Sequence, residues 1–452
     1  PGVSSYIKQV NLPPVGARQF SVAGMNVENF FDDIDDPAIK EDIVTTESFN
    51  KRMKKISLGV RNIMQSPDVI GVVEVENLAA LKRLAEKINA DSEAAGKPNP
   101  KYEAYLIDGN DGRGIDSGFL VKSSRITVIE TKQLGKEDKF DNKSVDEETF
   151  LNDRPPLMLR ASMMDEKTKQ PFEFTVLVNH LKSFLGYNDP KRMDGVRTKK
   201  RLQAEFLAKF VQQRQTANPQ EKIILVGDFN AYQFNDGIVD VIGTIKGKPA
   251  VKGEVINPSE DLVNPDMIDL VDLINAEQRY SYRYDGNGQV LDHILISNSL
   301  QNYIMGFGYA RMNSDFPESY RVDDNRAERF SDHDAAVAYI NTFDDSESAR
   351  KPAPMSTPTP GPVKQDSPFQ EKYVGGSGPP RLFIENKADR KLTLTLGSQK
   401  YELATNQSLS IQLAPGEIHY EAEAPDAVAK IGDHEFKTGY EYYWTFFIVR
   451  RP

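Results

Sequence analysis

A layered mixed α/β domain followed by a small all-β domain is the fold this sequence predicts. Three observations carry the prediction. Short apolar runs alternate with helical patterns over about three-quarters of the chain. A stretch rich in proline and glycine then interrupts it, and beyond that stretch apolar and polar residues alternate strictly. At 452 residues the chain exceeds the usual single-domain size, which favours two domains.

The elements follow in order. Phe49, Met53, Ile56, Val60 and Ile63 recur at helical spacing. Val69-Ile70-Gly71-Val72-Val73 is a nearly continuous apolar run, the pattern of a strand buried on both faces. Leu78, Leu81, Leu84 and Ile88 mark a second helix. Phe174 to Val178 and Ile223 to Val226 are further buried strands, and Leu202, Phe206 and Phe210 mark the helix between them. Residues 1–345 form the first predicted domain. Residues 346–380, with Pro352, Pro354, Pro358, Pro360 and Pro362 followed by Gly375-Gly376-Ser377-Gly378, form a linker that lets the flanking bodies move. In residues 381–452, Leu392, Leu394 and Leu396 alternate with threonine, and Leu409, Ile411 and Leu413 alternate with polar residues. The expectation is a small all-β, sandwich-like domain. Its Tyr440, Tyr442, Tyr443 and Trp444 are expected to fill a core rather than form a stacking platform.

Composition bounds the chemistry. There is no cysteine, which excludes disulfides, thiolate metal sites and cysteine nucleophiles. No apolar run is long enough to span a membrane. The chain opens at Pro1-Gly2-Val3 without methionine, as after removal of a leader or trimming, and the expected location is extracellular or periplasmic. The net charge is −11, so attraction to a polyanion must come from bound cations and a local basic patch.

Five histidines occur, and three lie in acid- or amide-bearing strings: Asn179-His180, Asp292-His293 and Ser331-Asp332-His333. Asn26-Val27-Glu28 and Gly227-Asp228-Phe229-Asn230 complete the set. Hard oxygen ligands and imidazoles at strand ends suit metal-assisted cleavage of a phosphodiester. After Val226, Gly227 allows a sharp turn, and Asp228 and Asn230 then share one side. Glu74 ends a buried run, where a carboxylate is costly unless paired or bound to a cation. Glu76 and Asn77 have the position of helix caps. Asp292 can fix the tautomer of another histidine. Arg113-Gly114-Ile115-Asp116 is a loop that either contacts substrate or closes a turn by a salt bridge. Lys199, Lys200 and Arg201 read as a solvated helix face, with contact to a nucleic-acid backbone as the alternative.

In their order and spacing these strings resemble the endonuclease/exonuclease/phosphatase superfamily, over roughly residues 18–343. Asn26 to Asp32, Arg154-Pro155-Pro156-Leu157, Asn179 to Ser183 and Asn313 to Tyr320 resemble its bacterial, often secreted, nuclease-like branch. The resemblance implies a four-layer α/β/β/α sandwich of two mostly antiparallel sheets, an α+β fold. It implies metal ligation by Asn26, Glu74 and Asp332, with Glu28 close by. Asp228 and Asn230 would orient water and phosphate or serve a second metal. His333, held by Asp292, would act as base, and His180 would stabilise the transition state or protonate the leaving oxygen. Arg154, Lys182 and Asn179 would contact substrate phosphate. Val73-Glu74 departs from the Gln-Glu pair common elsewhere, and His293 receives no role.

The function expected is a divalent-metal-dependent phosphodiesterase, a nuclease acting on DNA, with RNA as a further substrate, by in-line attack of water. One or two Mg2+ or Mn2+ ions are expected, with Ca2+ as a candidate structural ion. The alternatives are a phosphomonoesterase or lipid phosphodiesterase on the same fold, or a non-catalytic binding protein. Against the lipid enzyme, no clear apolar hairpin stands out in the sequence. A monomer is expected, with the tail domain binding an unidentified surface or polymer.

Overall fold

A computed structural model describes residues 12–37, 43–344, 370–373, 378–388, 390–425 and 430–446. The chain divides into two compact units, residues 1–357 and 358–452. Most of the expected linker lies outside the described residues. No helix among the described residues is long and apolar enough to cross a membrane.

The first unit holds two six-stranded sheets. One runs, from edge to edge, through Ile304–Ala310, Ala335–Asn341, Gln19–Phe30, Val69–Val75, Asp116–Lys122 and Tyr102–Leu106. The other runs through Ile268–Asp269, Asp292–Ile296, Ile223–Asp228, Pro171–His180, Leu157–Met164 and Ile126–Gln133. Each sheet has one parallel pair at its centre, Gln19–Phe30 with Val69–Val75 and Ile223–Asp228 with Pro171–His180, and antiparallel neighbours elsewhere.

Alternation along the strands sorts their side chains into three cores. Phe20, Val22, Val69 and Val73 face Val176, Val178, Ile224 and Val226 between the sheets. Ala23, Met25, Ile70 and Val72 face the helices Thr46–Leu58 and Leu78–Ala94. Leu177, Ile223, Leu225 and Leu295 face the helices Met193–Ala217 and Val241–Lys246. The result is the four-layer α/β/β/α sandwich. Asn77 caps the second helix as expected, accepting from the Ala80 amide at 2.9 Å. Glu76 does something else: its carboxylate accepts from the Asp32 amide.

The two sheets approach closely where the site lies. A Cβ on Gly71 would come within 2.7 Å of Val226 Cγ2 and 2.9 Å of Val178 Cγ2. No larger residue fits there without separating the layers.

The second unit is a small β domain of two four-stranded sheets, with Leu382, Leu394, Tyr420, Phe436 and Tyr442 in its core. Tyr442 and Trp444 are buried as expected, whereas Tyr443 points outward and stacks on Phe383, centroids 5.0 Å apart.

Candidate functional site

The two central parallel pairs bring four strand ends together, and each end carries a polar side chain. Asn26 lies near the end of Gln19–Phe30, Glu74 near the end of Val69–Val75, and His180 and Asp228 close their strands in register with each other. The backbone leaves the sheet at these points. The first strand is irregular between Asn26 and Phe30, its neighbour between Val73 and Val75. Glu28, Asn29, Glu74 and Asn230 all have φ between 47° and 65°, the left-handed region that non-glycine residues avoid. Each such residue costs of order 1–3 kcal/mol, offset here by specific bonds. The half-buried Arg52 guanidinium donates to the carbonyls of Val27, Glu28 and Asn29 at 2.5–2.8 Å. Gly227, at φ 123°, has no room for a side chain: a Cβ would lie 2.2 Å from the Asn179 carbonyl oxygen.

Asn26 ties the two sheets together. Its Nδ2 donates to Glu74 Oε1 at 3.0 Å and to Asp228 Oδ2 at 3.3 Å. His180 Nε2 faces the same two carboxylates at 3.6 and 3.8 Å. Asp292 stands beside Asp228 across the antiparallel pair. Its Oδ2 bonds His333 Nδ1 at 2.7 Å, which leaves His333 Nε2 facing Asp228 Oδ2 and Asp332 Oδ1, each at 4.0 Å. The Tyr282 ring lies against the His333 imidazole, centroids 4.7 Å apart. Asn230 joins through its amide, which donates to Asp228 Oδ1 at 2.7 Å.

Burial pushes the Asp228 carboxyl up to about 7; the His333 charge opposes this, while Asp292 and Glu74 add to it. Burial and the neighbouring Asp332 raise Glu28 against the pull of Arg321. The imidazoles move in opposite directions. Burial, with Arg154 and His333 as neighbouring cations, holds His180 well below the usual histidine range. Burial also opposes charge on His333, but the carboxylates of Asp292 and Asp228 outweigh it and raise His333 well above that range. The surroundings thus favour the neutral imidazole at His180 and the charged one at His333.

This donor set fits a divalent cation. Glu74, His180 and Asp228 offer ligand atoms within 4.8 Å of one another, as do Asp228, Asp292 and His333. Asp292 Oδ1 and His180 Nδ1 are buried without a hydrogen-bond partner among the described residues. Gathered carboxylates of this kind are stabilised by a hard cation.

The flanking residues separate into two groups. Lys182 is half-buried and makes no ion pair among the described residues, and burial lowers its ammonium to about 8. Arg113 is exposed beside it, bonded at 3.2 Å to Asp111, a residue that precedes the Arg113–Asp116 string. Arg154 is buried, donating to the carbonyls of His180 and Leu181 at 3.3 and 3.0 Å and pairing with Asp111 at 3.2 Å. It fastens the strand end that carries His180, with two of its five N–H groups left over.

Asn179 is not brought to the cluster. It alternates onto the helix-layer face, and its amide donates to Leu177 and Val226 carbonyls. Nor do Lys199, Lys200 and Arg201 form a free basic face. Lys199 pairs with Asp153 at 2.6 Å and Arg201 with Glu205, while Lys200 is fully buried. The Lys200 ammonium donates to the carbonyls of Lys182 and Asn230 at 2.9 and 2.6 Å, stitching together the two loops that leave the site.

Sequence reasoning missed Tyr282, Arg52, Lys55 and Arg321. Arg321 pairs with Glu28 at 2.8 Å. The loop that carries it wraps a buried ammonium: Lys55 Nζ donates to the carbonyls of Tyr320, Asp323, Arg326 and Glu328 at 2.7–3.0 Å. Only Lys55 and Arg52 had a usable signal, as charged residues on the apolar helix that carries Phe49, Met53 and Ile56.

A four-layer sandwich with oxygen and imidazole ligands gathered at its central strand ends defines a class, the metal-assisted phosphoester hydrolases. The sequence profile of the Endonuclease/Exonuclease/phosphatase family matches residues 21–324, and the chain belongs to that family. No curated protein matches the chain. Among solved structures it is similar to a humanized D. rerio TDP2, at 13% identity over 72% of this chain and 99% of that one, TM-score 0.43. It is similar to a truncated Caenorhabditis elegans TDP2, at 17% identity over 72% and 97%, TM-score 0.43. It is also similar to a Bacteroides thetaiotaomicron mannosyl-6-phosphatase, at 16% identity over 71% and 99%, TM-score 0.42.

Proposed function

We propose that this chain is a divalent-metal-dependent phosphodiesterase, a nuclease that cleaves DNA, with RNA as a further substrate, by in-line attack of water. One observation carries the reading. Asn26, Glu74, His180, Asp228, Asp292 and His333 form a single cluster, flanked on the His180 side by the cations Arg113 and Lys182, in a chain whose net charge is −11. The electropositive ground lies where a polyanion must enter.

Asn26 and Glu74, with Glu28 and Asp332 beside them, would hold Mg2+ or Mn2+. When bound, the ion neutralises charge on the non-bridging oxygens and assists the leaving oxygen. Asp228, its carboxyl near 7, accepts the proton of the attacking water. Asn230 sets the rotamer of Asp228 through its amide. His333 is oriented by Asp292, whose carboxylate favours its charged form, and donates to a phosphoryl oxygen. His180 presents Nε2 to the same Asp228 oxygen that His333 faces and donates to the transition state. Lys182 and Arg113 hold neighbouring phosphates.

The test is cleavage of plasmid DNA, single-stranded DNA, RNA, sphingomyelin and a small phosphomonoester, each with chelator and with Mg2+ or Mn2+ restored. Metal-dependent cleavage of DNA is expected. Hydrolysis confined to the monoester or to sphingomyelin assigns the site to a phosphatase or a lipid phosphodiesterase. No hydrolysis with any metal returns the chain to a binding role.

A further inference from the structure

Two loops leave the site, one after His180 and one after Asn230, and they are built as one body. Lys200 bonds a carbonyl of each. Above its ammonium, 4.2 Å from the ring centroid, lies Phe184. Phe184 stacks on Tyr232 across the two loops, centroids 5.3 Å apart and planes 23° apart. Tyr232 in turn lies 5.6 Å from Phe234. Tyr187 braces the pair, its ring edge-on to Phe184 and its hydroxyl bonded to Asp236 at 2.6 Å.

The outer end of this staircase is open. Phe234 is 61% exposed, and Leu185, next to Phe184 in the chain, is 69% exposed. Single exposed apolar residues are ordinary. A braced series of rings that begins four residues beyond a catalytic strand end and finishes in solvent is not explained by packing, because its last ring covers nothing.

We propose that Phe184, Tyr232 and Phe234 form a stacking platform for unpaired bases beside the scissile phosphate, so that the substrate is engaged as a single strand. The proposal rests on the phosphodiesterase reading above. Charge complementarity selects the occupant. Lys182, without an ion-pair partner among the described residues, stands at the inner end of the staircase, with Arg113 nearby. Cations for phosphates next to rings for bases match what a single strand presents, and sequence-tolerant stacking is how such strands are held. A duplex keeps its bases inside and cannot use the rings.

The experiment measures binding of a fluorescently labelled, phosphorothioate-linked oligonucleotide, which resists cleavage, by anisotropy with Mg2+ present. The single strand and its blunt duplex are compared for wild type, Phe234→Ala, Phe234→Trp and Ile129→Ser, the last an exposed apolar residue on a sheet edge. Phe234→Ala is expected to weaken the single strand by about tenfold and the duplex by less than about twofold. Phe234→Trp restores binding, and Ile129→Ser matches wild type. Equal losses on both strands, no loss, or no single-strand binding by wild type overturns the platform. Loss of binding to phosphatidylcholine–phosphatidylserine vesicles with oligonucleotide binding unchanged also overturns it and assigns the ridge to a lipid surface. The cleavage panel decides the enzyme's reaction separately, so a nuclease without this platform and a platform on a non-nuclease give different results.

Discussion

Two Asp-His dipeptides, Asp292-His293 and Asp332-His333, are chemically identical and structurally opposite. The first opens a strand, so its side chains alternate across the sheet. Asp292 turns inward beside Asp228. His293 turns outward, fully buried, with Nδ1 2.8 Å from Asp269 and Nε2 2.9 Å from the Ala231 carbonyl. The second lies in the turn before Ala335–Asn341, where no alternation applies, and both residues stay at the site. The strands therefore assemble one working pair from two dipeptides, the aspartate of the first with the histidine of the second. An acid–histidine neighbour in sequence is not evidence for an acid–histidine pair in space.

Substitutions at each position test this contrast. The largest effect is expected at the assembled pair. His333→Ala and Asp292→Asn should each lower kcat per folded molecule by about 10²–10⁴-fold. Wild-type turnover in either variant would dissolve the pair. His293→Ala should do the reverse. It leaves the Asp269 carboxylate buried and unpaired, a loss of about 3–5 kcal/mol in denaturant unfolding, while kcat per folded molecule is retained. A large fall in kcat without loss of stability would bring His293 into the reaction.

Proton linkage sharpens the contrast. Asp228 titrates near 7 in the folded chain, far above an unfolded aspartate near 4, so ionising it costs stability as pH rises from about 4 to 7. His333 is raised, so its contribution is fully present below the unfolded histidine value and is lost as pH rises through the folded one. Both act in one direction. Mg2+ or Mn2+ should therefore raise the melting temperature of chelated protein more at pH 8 than at pH 6, because the ion competes with the protons of Asp228 and His333. A metal-induced shift that is larger at the lower pH would contradict this. Lys182→Ala should raise KM for DNA by roughly tenfold, leaving kcat within about twofold, as loss of one phosphate contact implies. The smallest effect is expected from ending the chain after residue 345: kcat/KM on short DNA should stay within about twofold if the second unit is accessory.

The fold was largely legible because buried strands and amphipathic helices announce themselves by period. Val69 to Val73 and Ile223 to Val226 lie in the layers their apolar runs require. Much of the cluster was legible because carboxylates and imidazoles at the ends of such runs have few stable alternatives. What failed was the direction of side chains. Asn179 is one residue out of phase with the site. Lys200 read as surface because its four-carbon stem and charge suit a helix exterior; its burial depends on carbonyls contributed by Lys182 and Asn230, each distant in sequence. Tyr282 reaches His333 only because a short hairpin, Tyr282–Tyr284 with Asn287–Gln289, folds beside the Asp292 strand. That hairpin also exposes Tyr284.

The ammonium of Lys55 inside its ring of carbonyls has a practical consequence. The loop from Tyr320 to Glu328 encloses a positive charge that is covalently part of the chain and cannot be stripped by a chelator. Enzymes that pin such a loop with calcium lose two things at once when the ion is removed. In this molecule the ammonium that holds the scaffold carrying Arg321 toward Glu28 stays in place when a chelator removes metal ions.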